Sequence, residues 1–592
     1  MLPSIFPQAA STRFDFHQLP GCAGGSIEAC HVPIHVPFHT SAPIALKTTQ
    51  GTVAHLGPLS QVPNNFFPIK SFVFTPVNVL LLGNLLVSHP NRVLVNFILS
   101  GFSHGFKLGY QHGQLFPSTS NNKSSMEHAS KVDEAILKEL NRGHTVGPFD
   151  CPPLPSFHCS PLGAAPKKDG SIRVILDLSS PQGFSVNDGI SKDSYSVTYS
   201  SFDEAIDMVR ELGRDCFLAK LDIKHAFRLC PVHPDDWYLL GYKWQGRYFF
   251  DVVLPFGGRS SPFTFNHFAD LLHWILQYLA SIRQLLHYLD DFITGNSSKA
   301  ACQNIINLIQ QVFNCLGVPL APEKIVGPSR VLTYLGIEID TSEFVIRLPQ
   351  DKFDAILSLL RVWKGKKKCT KKELLSLIGL LSFACKVVKC GRIFLRRLID
   401  LSTTVSSLYH HISVTSESRK DIEWWLNFLP SWNGMAVIQT SFLTSESLNM
   451  FTDASMSGLG GFYNGKWFSI PFSNTNNYSI TFLELLAVVI AVHSWGEKWS
   501  DTQVIIFTDN EAIVRIWSTG SCKCEHIMKL VRLLFYFTAN HNINLLMRHI
   551  CGTSNIYADL LSRLQVAKFK EQCPYAEELP TPIPSSISEC LV

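Results

Sequence analysis

The alternation of apolar and polar positions divides the chain into segments with different predicted structures. Apolar residues at helical spacing predict two short helices within residues 76–109 and another helix over Ser130–Asn141. Residues 167–345 alternate strand-like and helix-like apolar runs, a pattern typical of a mixed α/β domain. Residues 350–430 have a helical pattern, and a second α/β unit follows over 447–565. The pattern predicts a multidomain protein of the α/β and α+β classes.

Local signals predict individual elements within these segments. Thr370 followed by Glu373 forms a capping box, and the apolar stripe after it predicts a helix with one buried face. Residues 1–65 mix Pro, Gly, Ser and His without a sustained period, so we expect a disordered leader. A loose tail is expected over 566–592, which becomes rich in Pro and Ser from Cys573. The main predicted strands are Ser171–Leu178, Phe217–Ile223, Arg247–Leu254, Gln284–Phe292, Asn449–Asp453 and Val504–Thr508.

Composition excludes two classes of protein. The chain has 592 residues, 46% of them hydrophobic and 17% charged, so it is neither a disordered protein nor a small disulfide scaffold. Its 16 cysteines form no framework, and we expect the reduced thiols of an intracellular protein. Apolar stretches such as Val79–Val87 are shorter than the roughly 20 residues of a membrane span, so no membrane partner is expected.

Three acidic residues near the ends of two predicted strands suggest a metal site. The segment His287–Phe292 predicts a hairpin whose turn presents Asp290 and Asp291, and Asp222 ends another strand. Adjacent like charges avoid burial unless a cation offsets them, so an exposed Asp-Asp turn is the simplest alternative. Three acids from two strands can, however, hold two divalent cations for in-line phosphoryl transfer. Oxygen ligands favour Mg²⁺.

The same residues resemble the signature motifs of reverse transcriptases. Tyr288-Leu289-Asp290-Asp291 resembles the catalytic box of that family, and Asp222 with Ala226 and Phe227 resembles its first palm motif. Other segments resemble the fingers, nucleotide-binding, late palm and primer-grip motifs in family order, over about residues 129–345. They are residues 166–173 with Asp177, residues 254–262, Gly317 with Lys324, and residues 334–337.

The resemblance implies a right-hand polymerase with fingers, palm and thumb, which extends a DNA primer with dNTPs on an RNA template. Asp222, Asp290 and Asp291 would hold two Mg²⁺ ions, with Mn²⁺ as an alternative, and the carbonyl of Ile223 is a further candidate ligand. Phe227 would lie against the sugar, where a ring excludes a 2′-hydroxyl, although core packing is its alternative role. The candidate substrate-binding residues are Lys167, Arg173, Phe227, Phe256, Gly257 and Lys324.

Four acids in the second α/β unit resemble the Asp-Glu-Asp-Asp set of ribonuclease H. They are Asp453, Glu484, Asp509 and Asp559. Each has a structural alternative: Glu484 could complete a capping box with Thr481. Asp509 could cap a helix, and Asp559 could favour a helix N-terminus. The resemblance implies an RNase H-like domain that binds two Mg²⁺ ions and cleaves the RNA strand of an RNA–DNA hybrid, although Gly552-Thr553 fills the stretch where many members carry a mobile histidine.

A basic stretch lies between the two predicted enzymes. The net charge of the chain is only +4, yet residues 361–397 contain twelve basic residues and one acid, Glu373. A solvated helical face is the plain interpretation of such a run. Its position after the predicted palm favours contact with the template and primer, through phosphate contacts that are sensitive to salt. The candidate nucleic-acid-binding residues are Lys364, Lys366, Lys367, Lys368, Lys371 and Lys372.

Polymerase before nuclease is the order of a retroelement. Residues 101–106 and 424–434 resemble the DIRS-like group, whose tyrosine recombinase would be a separate product and a partner. Three rivals stay open: an RNA-dependent RNA polymerase, a domesticated copy that only binds RNA or hybrid, and a chaperone-like or capsid function in residues 1–65. The predicted order is leader 1–65, helical extension 66–128, fingers and palm 129–345, helical thumb and connection 346–440, RNase H-like domain 447–565 and tail 566–592.

Overall fold

The computed structural model describes residues 73–583, apart from 112, 114, 117–119, 168–169, 433–434, 439–441, 449, 473–477, 509, 521 and 550–554. The predicted leader over 1–65 therefore lies outside the described residues, as does Asp509. The chain divides into two compact units, the first containing residues up to 201 and 218–328, and the second containing 202–217 and the chain from 329 onward.

The first unit mixes α-helices with short β-strands, as the sequence pattern predicts; elements are numbered in chain order through both units. Its helices are α1 (Val79–Leu85), α2 (Arg92–His104), α3 (Lys123–Glu127), α4 (Ala129–Asn141), α6 (Ser261–Trp274) and α7 (Lys299–Cys315). Its strands are β1 (Thr145–Phe149), β2 (Leu162–Pro166), β3 (Ile172–Leu176), β4 (Phe217–Asp222), β5 (Gly241–Trp244), β6 (Arg247–Asp251), β7 (Leu285–Tyr288), β8 (Asp291–Asn296) and β9 (Val326–Ser329).

A four-stranded sheet with the order β7-β8-β4-β9 carries the predicted catalytic residues of this unit. Strands β7 and β8 form an antiparallel hairpin, and β4 lies next to β8. Helices α6 and α7 pack against this hairpin. Strands β1, β6 and β5 form a second sheet, and β2 and β3 form a separate hairpin. The strand order therefore brings the end of β4 beside the β7–β8 turn.

The helices that precede the polymerase motifs belong to the core of the first unit. Phe102 and Phe106 are each 1% exposed, and the Phe102 ring lies 4.7 Å from that of Phe268 in α6. Gly101 lies so close to Phe106 that a Cβ atom would fall 2.0 Å from its ring. Residues 101–106, which resemble the DIRS-like group, therefore also have a packing role, and this role requires glycine at position 101.

The second unit contains α5 (Phe202–Leu212) and the elements after β9. Its other helices are α8 (Gln350–Lys364), α9 (Lys371–Ala384), α10 (Arg396–Ser402), α11 (Ser416–Trp432), α12 (Ser445–Leu448), α13 (Ile480–Trp495), α14 (Glu511–Thr519), α15 (Glu525–Asn540), α16 (Ile556–Ser562) and α17 (Val566–Gln572). Its strands are β10 (Val331–Tyr334), β11 (Ile337–Asp340), β12 (Val345–Arg347), β13 (Lys368–Thr370), β14 (His411–Ser413), β15 (Met435–Val437), β16 (Phe442–Thr444), β17 (Met450–Ala454), β18 (Gly458–Tyr463), β19 (Lys466–Pro471), β20 (Gln503–Thr508) and β21 (Asn544–His549).

The first part of this unit is largely helical, as predicted for the connection. The capping box at α9 is confirmed, because the Glu373 carboxylate accepts from the Thr370 amide at 2.8 Å and the Thr370 hydroxyl accepts from the Glu373 amide. The apolar stripe of α9 is buried. The Trp424 ring stacks on Phe394 and Phe428, with centroids 3.7 and 4.6 Å away. Strands β10, β11, β12 and β15 form one sheet, which explains why residues after 328 belong here.

The part of the second unit that runs from β16 to α17, here named the nuclease-like part after its sequence resemblance, contains two three-stranded sheets among its described residues. Strands β17, β18 and β19 are antiparallel, whereas β16, β20 and β21 are parallel. Helix α16 packs on β17 and β18. This close approach requires Gly460, because a Cβ atom there would lie 2.5 Å from both the Ala558 carbonyl oxygen and the Ser562 nitrogen.

The prediction of a loose tail over 566–592 is wrong for its described part. Phe569 of α17 is fully buried against Phe462, Trp467 and Leu561. The Trp467 indole donates to the Glu577 carbonyl at 2.7 Å. Phe569, ahead of the Pro- and Ser-rich part, and Cys573 at its start thus pack this segment against the sheet. Residues 584–592 lie outside the described residues.

Helix α13 is more apolar than the sequence analysis anticipated. With the short turn that follows, it covers Ile480–Trp499 and is long and apolar enough to cross a membrane by length and composition. The expectation that the apolar stretches are too short is therefore wrong for this helix. Two thirds of its most apolar window (67%) is buried inside the structure, a burial typical of a core helix.

Candidate active sites and nucleic-acid interface

The predicted hairpin at residues 287–292 is confirmed. The β7–β8 ladder pairs Tyr288 with Asp291, so Leu289 and Asp290 form a two-residue turn. Leu289 has φ +54°, a left-handed conformation that costs an ordinary residue about 1–2 kcal/mol. Strained backbone of this kind concentrates at functional sites, where the surrounding structure holds it in place.

Asp222 reaches the turn from the neighbouring strand. It is the last residue of β4 and only 6% exposed. The Ile223 amide donates to the Asp290 carbonyl at 3.0 Å, and the Ala321 amide donates to the Asp222 carbonyl at 2.9 Å. These main-chain hydrogen bonds hold the end of β4 against the turn. The pairing of the strands thus brings Asp222 close to Asp290 and Asp291, as predicted.

Burial and crowded negative charge change the acidity of this cluster. Burial, and then the Asp222 carboxylate, raise the pKa of Asp290 to about 6. Burial also raises the pKa of Asp291, and the Lys220 ammonium opposes that rise. Positive charge beside the cluster would therefore stabilise its ionised form.

Lys324 supplies part of that charge. Its ammonium lies 2.7 Å from Asp222 Oδ1. Although partial burial lowers it, the hydrogen bond to Asp222 raises the pKa of Lys324 overall. Across the described ranges of the chain, no three His, Cys, Asp or Glu side chains are arranged as a complete metal site. Lys324, which was predicted to bind the substrate, thus forms an ion pair with Asp222, a predicted metal ligand.

The aromatic residues predicted around the nucleotide form one cluster. The Phe227 ring is half-buried, 5.5 Å from Phe256 and 5.8 Å from the buried ring of Phe265. The Arg173 guanidinium lies 5.0 Å from the Phe256 ring centroid. Lys167 instead lies at the exposed β2–β3 turn. Phe227 therefore has both core contacts and an accessible side, which is compatible with either of its predicted roles.

Asn187, which the sequence analysis did not single out, holds the predicted nucleotide-binding segment 254–262 in place. Gly257 has φ +108°, and a Cβ atom there would lie 2.4 Å from the Leu176 carbonyl oxygen. The Asn187 side chain donates to the Gly257 carbonyl at 2.9 Å and accepts from the Arg259 amide at 2.8 Å. The Arg259 guanidinium donates to the Ile190 carbonyl at 2.7 Å. Asn187 and Gly257 are 70 residues apart, and no local sequence pattern links them. These hydrogen bonds could therefore be found only from the structure.

The segment that carries this site matches a known family. Residues 165–339 match the family model described as "Reverse transcriptase (RNA-dependent DNA polymerase)". They form a reverse transcriptase domain. The acids at 222, 290 and 291, the aromatic cluster and Lys324 all lie within the matched residues. The nuclease-like acids lie outside the matched residues.

Transposon polyproteins resemble a larger part of the chain. The Transposon Tf2-3 and Tf2-7 polyproteins of Schizosaccharomyces pombe (strain 972 / ATCC 24843) are 21% and 20% identical to it over 456 residues. Each match covers 73% of this chain and 30% of the polyprotein, so the chain spans less than a third of these curated relatives. A foamy viral protease-reverse transcriptase, solved in complex with an RNA/DNA hybrid, is 17% identical with a TM-score of 0.45, covering 75% of this chain and 56% of that one. Over most of its length the chain is thus similar, at low identity, to transposon polyproteins.

Beyond the reverse transcriptase domain, two acids of the nuclease-like set lie beside α16. The Ser562 hydroxyl donates to Asp453 Oδ2 at 2.6 Å, and Arg563 Nε lies 2.7 Å from Asp559 Oδ1. Asp559 and, more weakly, Asp453 raise the pKa of Arg563. Asp453 of β17 and Asp559 of α16 therefore each contact a donor from the C-terminal end of α16, Ser562 and Arg563.

Glu484 does not take part in the predicted capping box. Ser479 caps α13 and accepts an amide hydrogen bond at 3.3 Å. Thr481 lies inside the helix and accepts from the Asn510 side chain at 3.2 Å. Glu484 is half-buried in a helix that packs on β17, the strand of Asp453. The capping box considered for Thr481 and Glu484 is therefore wrong.

The remaining acid, Asp509, lies outside the described residues, directly after the end of β20 at Thr508. Asn510 caps α14, accepting from the Ala512 and Ile513 amides at 3.0 and 3.3 Å. The capping role considered for Asp509 thus belongs to its neighbour.

The six candidate lysines of the basic stretch fall into two groups. Lys366 pairs with Glu373 at 2.8 Å, and Lys371 donates to the Val405 carbonyl at 2.6 Å. The others are exposed, and no ion pair involving them is seen among the residues that the structure describes. They are Lys364, Lys367, Lys368 and Lys372. These four are the better candidates for phosphate contact.

Proposed function

We propose that this chain is the RNA-directed DNA polymerase of a retrotransposon and extends a primer with dNTPs. The observation that carries the proposal is the convergence of Asp222 with the Tyr288–Asp291 turn inside a reverse transcriptase domain. The similarity to the Transposon Tf2-3 polyprotein supports the transposon origin.

The donor set of this site suits Mg²⁺. Carboxylate oxygens are its usual protein ligands, and the raised pKa values of Asp290 and Asp291 are those of a cluster that a cation would stabilise. Asp222, Asp290 and Asp291 would hold two ions, with Mn²⁺ as an alternative and the Ile223 carbonyl as a candidate further ligand. Bound metal would activate the primer hydroxyl and neutralise phosphate oxygens. Lys324 would release Asp222 when the ions bind.

The neighbouring residues would bind and orient the nucleotide. Arg173, beside the Phe256 ring, has the planar fork that suits bidentate phosphate contact. Lys167, at the exposed β2–β3 turn, would approach the triphosphate from the fingers. The accessible side of Phe227 would face the sugar and exclude a 2′-hydroxyl. These roles favour dNTPs over rNTPs.

The test is primer extension on an RNA template with dNTPs and Mg²⁺. The wild type should extend the primer, and Asp222→Asn, which keeps the side-chain size, should not. A protein that extended only with rNTPs would be an RNA-dependent RNA polymerase. A wild type that bound the template and primer without extension would be the domesticated binding protein.

We further propose that the second unit cleaves the RNA strand of RNA–DNA hybrids with two Mg²⁺ ions. The proposal is supported by Asp453 on β17, by Asp559 on α16, which packs on β17, and by Glu484 on α13, which also packs on β17. Asp509 would complete the set from the end of β20. The test is degradation of labelled RNA in a hybrid, with the same RNA in single-stranded form as the control.

The placement in the DIRS-like group rests on sequence resemblance alone. It predicts a tyrosine recombinase encoded by the same element as a separate product. Sequencing the flanking genomic DNA tests this, because an element that encoded an Asp-Asp-Glu integrase instead would contradict the placement.

A further inference from the structure

Arg228 is a buried cation immediately after Phe227, in the same short turn, Ala226–Leu229. Its side chain is 11% exposed. It forms an ion pair with Asp251, which is 3% exposed, and its Nε lies 3.3 Å from Glu139. A buried charge held by two carboxylates is strongly destabilised when one partner is lost, so its position is firmly fixed.

The two carboxylates are themselves anchored. The Thr145 hydroxyl donates to Asp251 at 2.6 Å. His144 and Arg142 lie 2.9 and 2.7 Å from the two oxygens of Glu139. Although burial raises it, hydrogen bonding by His144 and the charge of Arg228 lower the pKa of Glu139 to about 2. Arg228 therefore cannot shift without disturbing groups on α4, β1 and β6.

The guanidinium of Arg228 also faces the nucleotide cluster. It lies 5.9 Å from the centroid of the Phe256 ring, within the range of a cation–π contact. The same ring contacts Phe227 and the Arg173 guanidinium, at 5.5 and 5.0 Å. Phe256 thus links a fixed buried cation to Phe227 and Arg173, two of the residues proposed to touch the nucleotide.

We propose that Arg228 is a positioning residue for nucleotide selection: it fixes the Phe256 ring and, through it, the places of Phe227 and Arg173. Arg228 acts through Phe256 and does not itself touch the substrate. The inference rests on the proposed polymerase function. It adds a determinant of sugar specificity that lies behind the Phe256 ring and out of contact with the nucleotide.

The principal test uses Arg228→Lys in single-nucleotide extension on an RNA template. Lysine keeps the charge, but its compact ammonium cannot bond two carboxylates and face a ring as the planar guanidinium does. A cavity of about 30 Å³ beside Glu139, Tyr242 and Asp251 has room for the water that the shorter side chain would need. The KM for dNTP should rise about three- to tenfold with kcat nearly unchanged, and the preference for dNTP over rNTP should fall by a similar factor.

Thr145→Val is the matched control. It removes a hydrogen bond from the same buried network but leaves both ion pairs of Arg228 in place. It should lower the melting temperature without changing sugar preference. Equal changes of sugar preference in Arg228→Lys and Thr145→Val would mean that the network is merely structural, and would overturn the proposal.

Phe256→Leu separates positioning from folding, because it leaves the ion pairs intact. It should reproduce the change in sugar preference, and adding Arg228→Lys to it should cause no further change. Unchanged preference in either single variant would refute the inference even if the other failed to fold. If the wild type did not extend primers, the proposed function would fail. Positioning would then be judged by dNTP-induced thermal stabilisation in Mg²⁺, which Arg228→Lys should weaken more than Thr145→Val.

Discussion

The acids of the reverse transcriptase domain and those of the nuclease-like part lie in opposite electrostatic surroundings. Asp290 is half-buried beside Asp222, and its pKa rises to about 6. Asp453 instead accepts a hydrogen bond from the Ser562 hydroxyl, and Asp559 pairs with the Arg563 guanidinium. A cluster of neighbouring carboxylates needs added cations to keep all of its members ionised. Carboxylates that accept hydrogen bonds from the protein itself can instead contribute to the stability of the fold. Geometry alone therefore argues more strongly for the first site than for the second.

The largest expected effect is a reciprocal loss of the two activities. Asp290→Asn should lower primer extension about 10³-fold, because metal-assisted charge stabilisation contributes several kcal/mol. Asp453→Asn should lower cleavage of hybrid RNA to a similar extent. Each variant should retain the other activity, measured on one labelled RNA template with a labelled DNA primer.

The matched control for the second site is Ser562→Ala, which removes the hydroxyl donor to Asp453 and keeps the carboxylate. It should retain most of the cleavage. If Asp453→Asn cleaved hybrid RNA as well as Ser562→Ala did, Asp453 would have a structural role only. The proposed second active site would then lose this carboxylate as a metal ligand.

A second prediction concerns stability in the nuclease-like part. Phe569→Ala should cost about 3–5 kcal/mol of unfolding free energy, because it removes a fully buried ring from the cluster around Trp467. Leu579→Ala, at a position 78% exposed, should change the unfolding free energy by less than about 0.5 kcal/mol. Denaturant unfolding monitored by tryptophan fluorescence measures both variants. Equal stabilities would restore the interpretation of a loose tail.

The sequence predicts most where local patterns decide the structure. The capping box of Thr370 with Glu373, the hairpin at 287–292 and the helix at 130–141 all depend on neighbours within a few residues, and all are confirmed. Thr481 with Glu484 has the same spacing as a true capping box, yet Ser479 starts that helix. A spacing alone cannot say which of two nearby polar residues becomes the cap.

Long-range contacts could not be predicted from one sequence. The hydrogen bond between Asn187 and Gly257 and the ion pair between Arg228 and Asp251 join residues far apart in the chain. The docking of Phe569 depends on a pocket formed by β18, β19 and α16. The reverse transcriptase acids were predictable because they belong to contiguous motifs, whereas their charge balance with Lys324 appears only in the fold.

A third prediction tests which role Phe227 has. Phe227→Ala should admit rNTPs and lower discrimination against them about ten- to hundredfold, because the ring that would exclude the 2′-hydroxyl is gone. Phe227→Tyr keeps the ring and should retain discrimination. Competing dNTP and rNTP incorporation at one template position measures both. A less stable Phe227→Ala with unchanged selectivity would assign the ring to core packing against Phe265.

The smallest expected effect concerns the basic stretch, and a pair of matched double variants sharpens it. Lys367→Gln with Lys368→Gln removes two exposed charges, whereas Lys366→Gln with Lys371→Gln removes two that already have intramolecular partners. If the exposed pair contacts phosphates, hybrid affinity at moderate salt should fall about three- to tenfold, and the slope of log affinity against log salt should become shallower by about 1–2. The second variant loses the same formal charge, so a purely long-range effect would change both slopes equally. Fluorescence anisotropy of a labelled hybrid over a salt series distinguishes the two, and equal slopes would assign this stretch to general attraction without defined phosphate contacts.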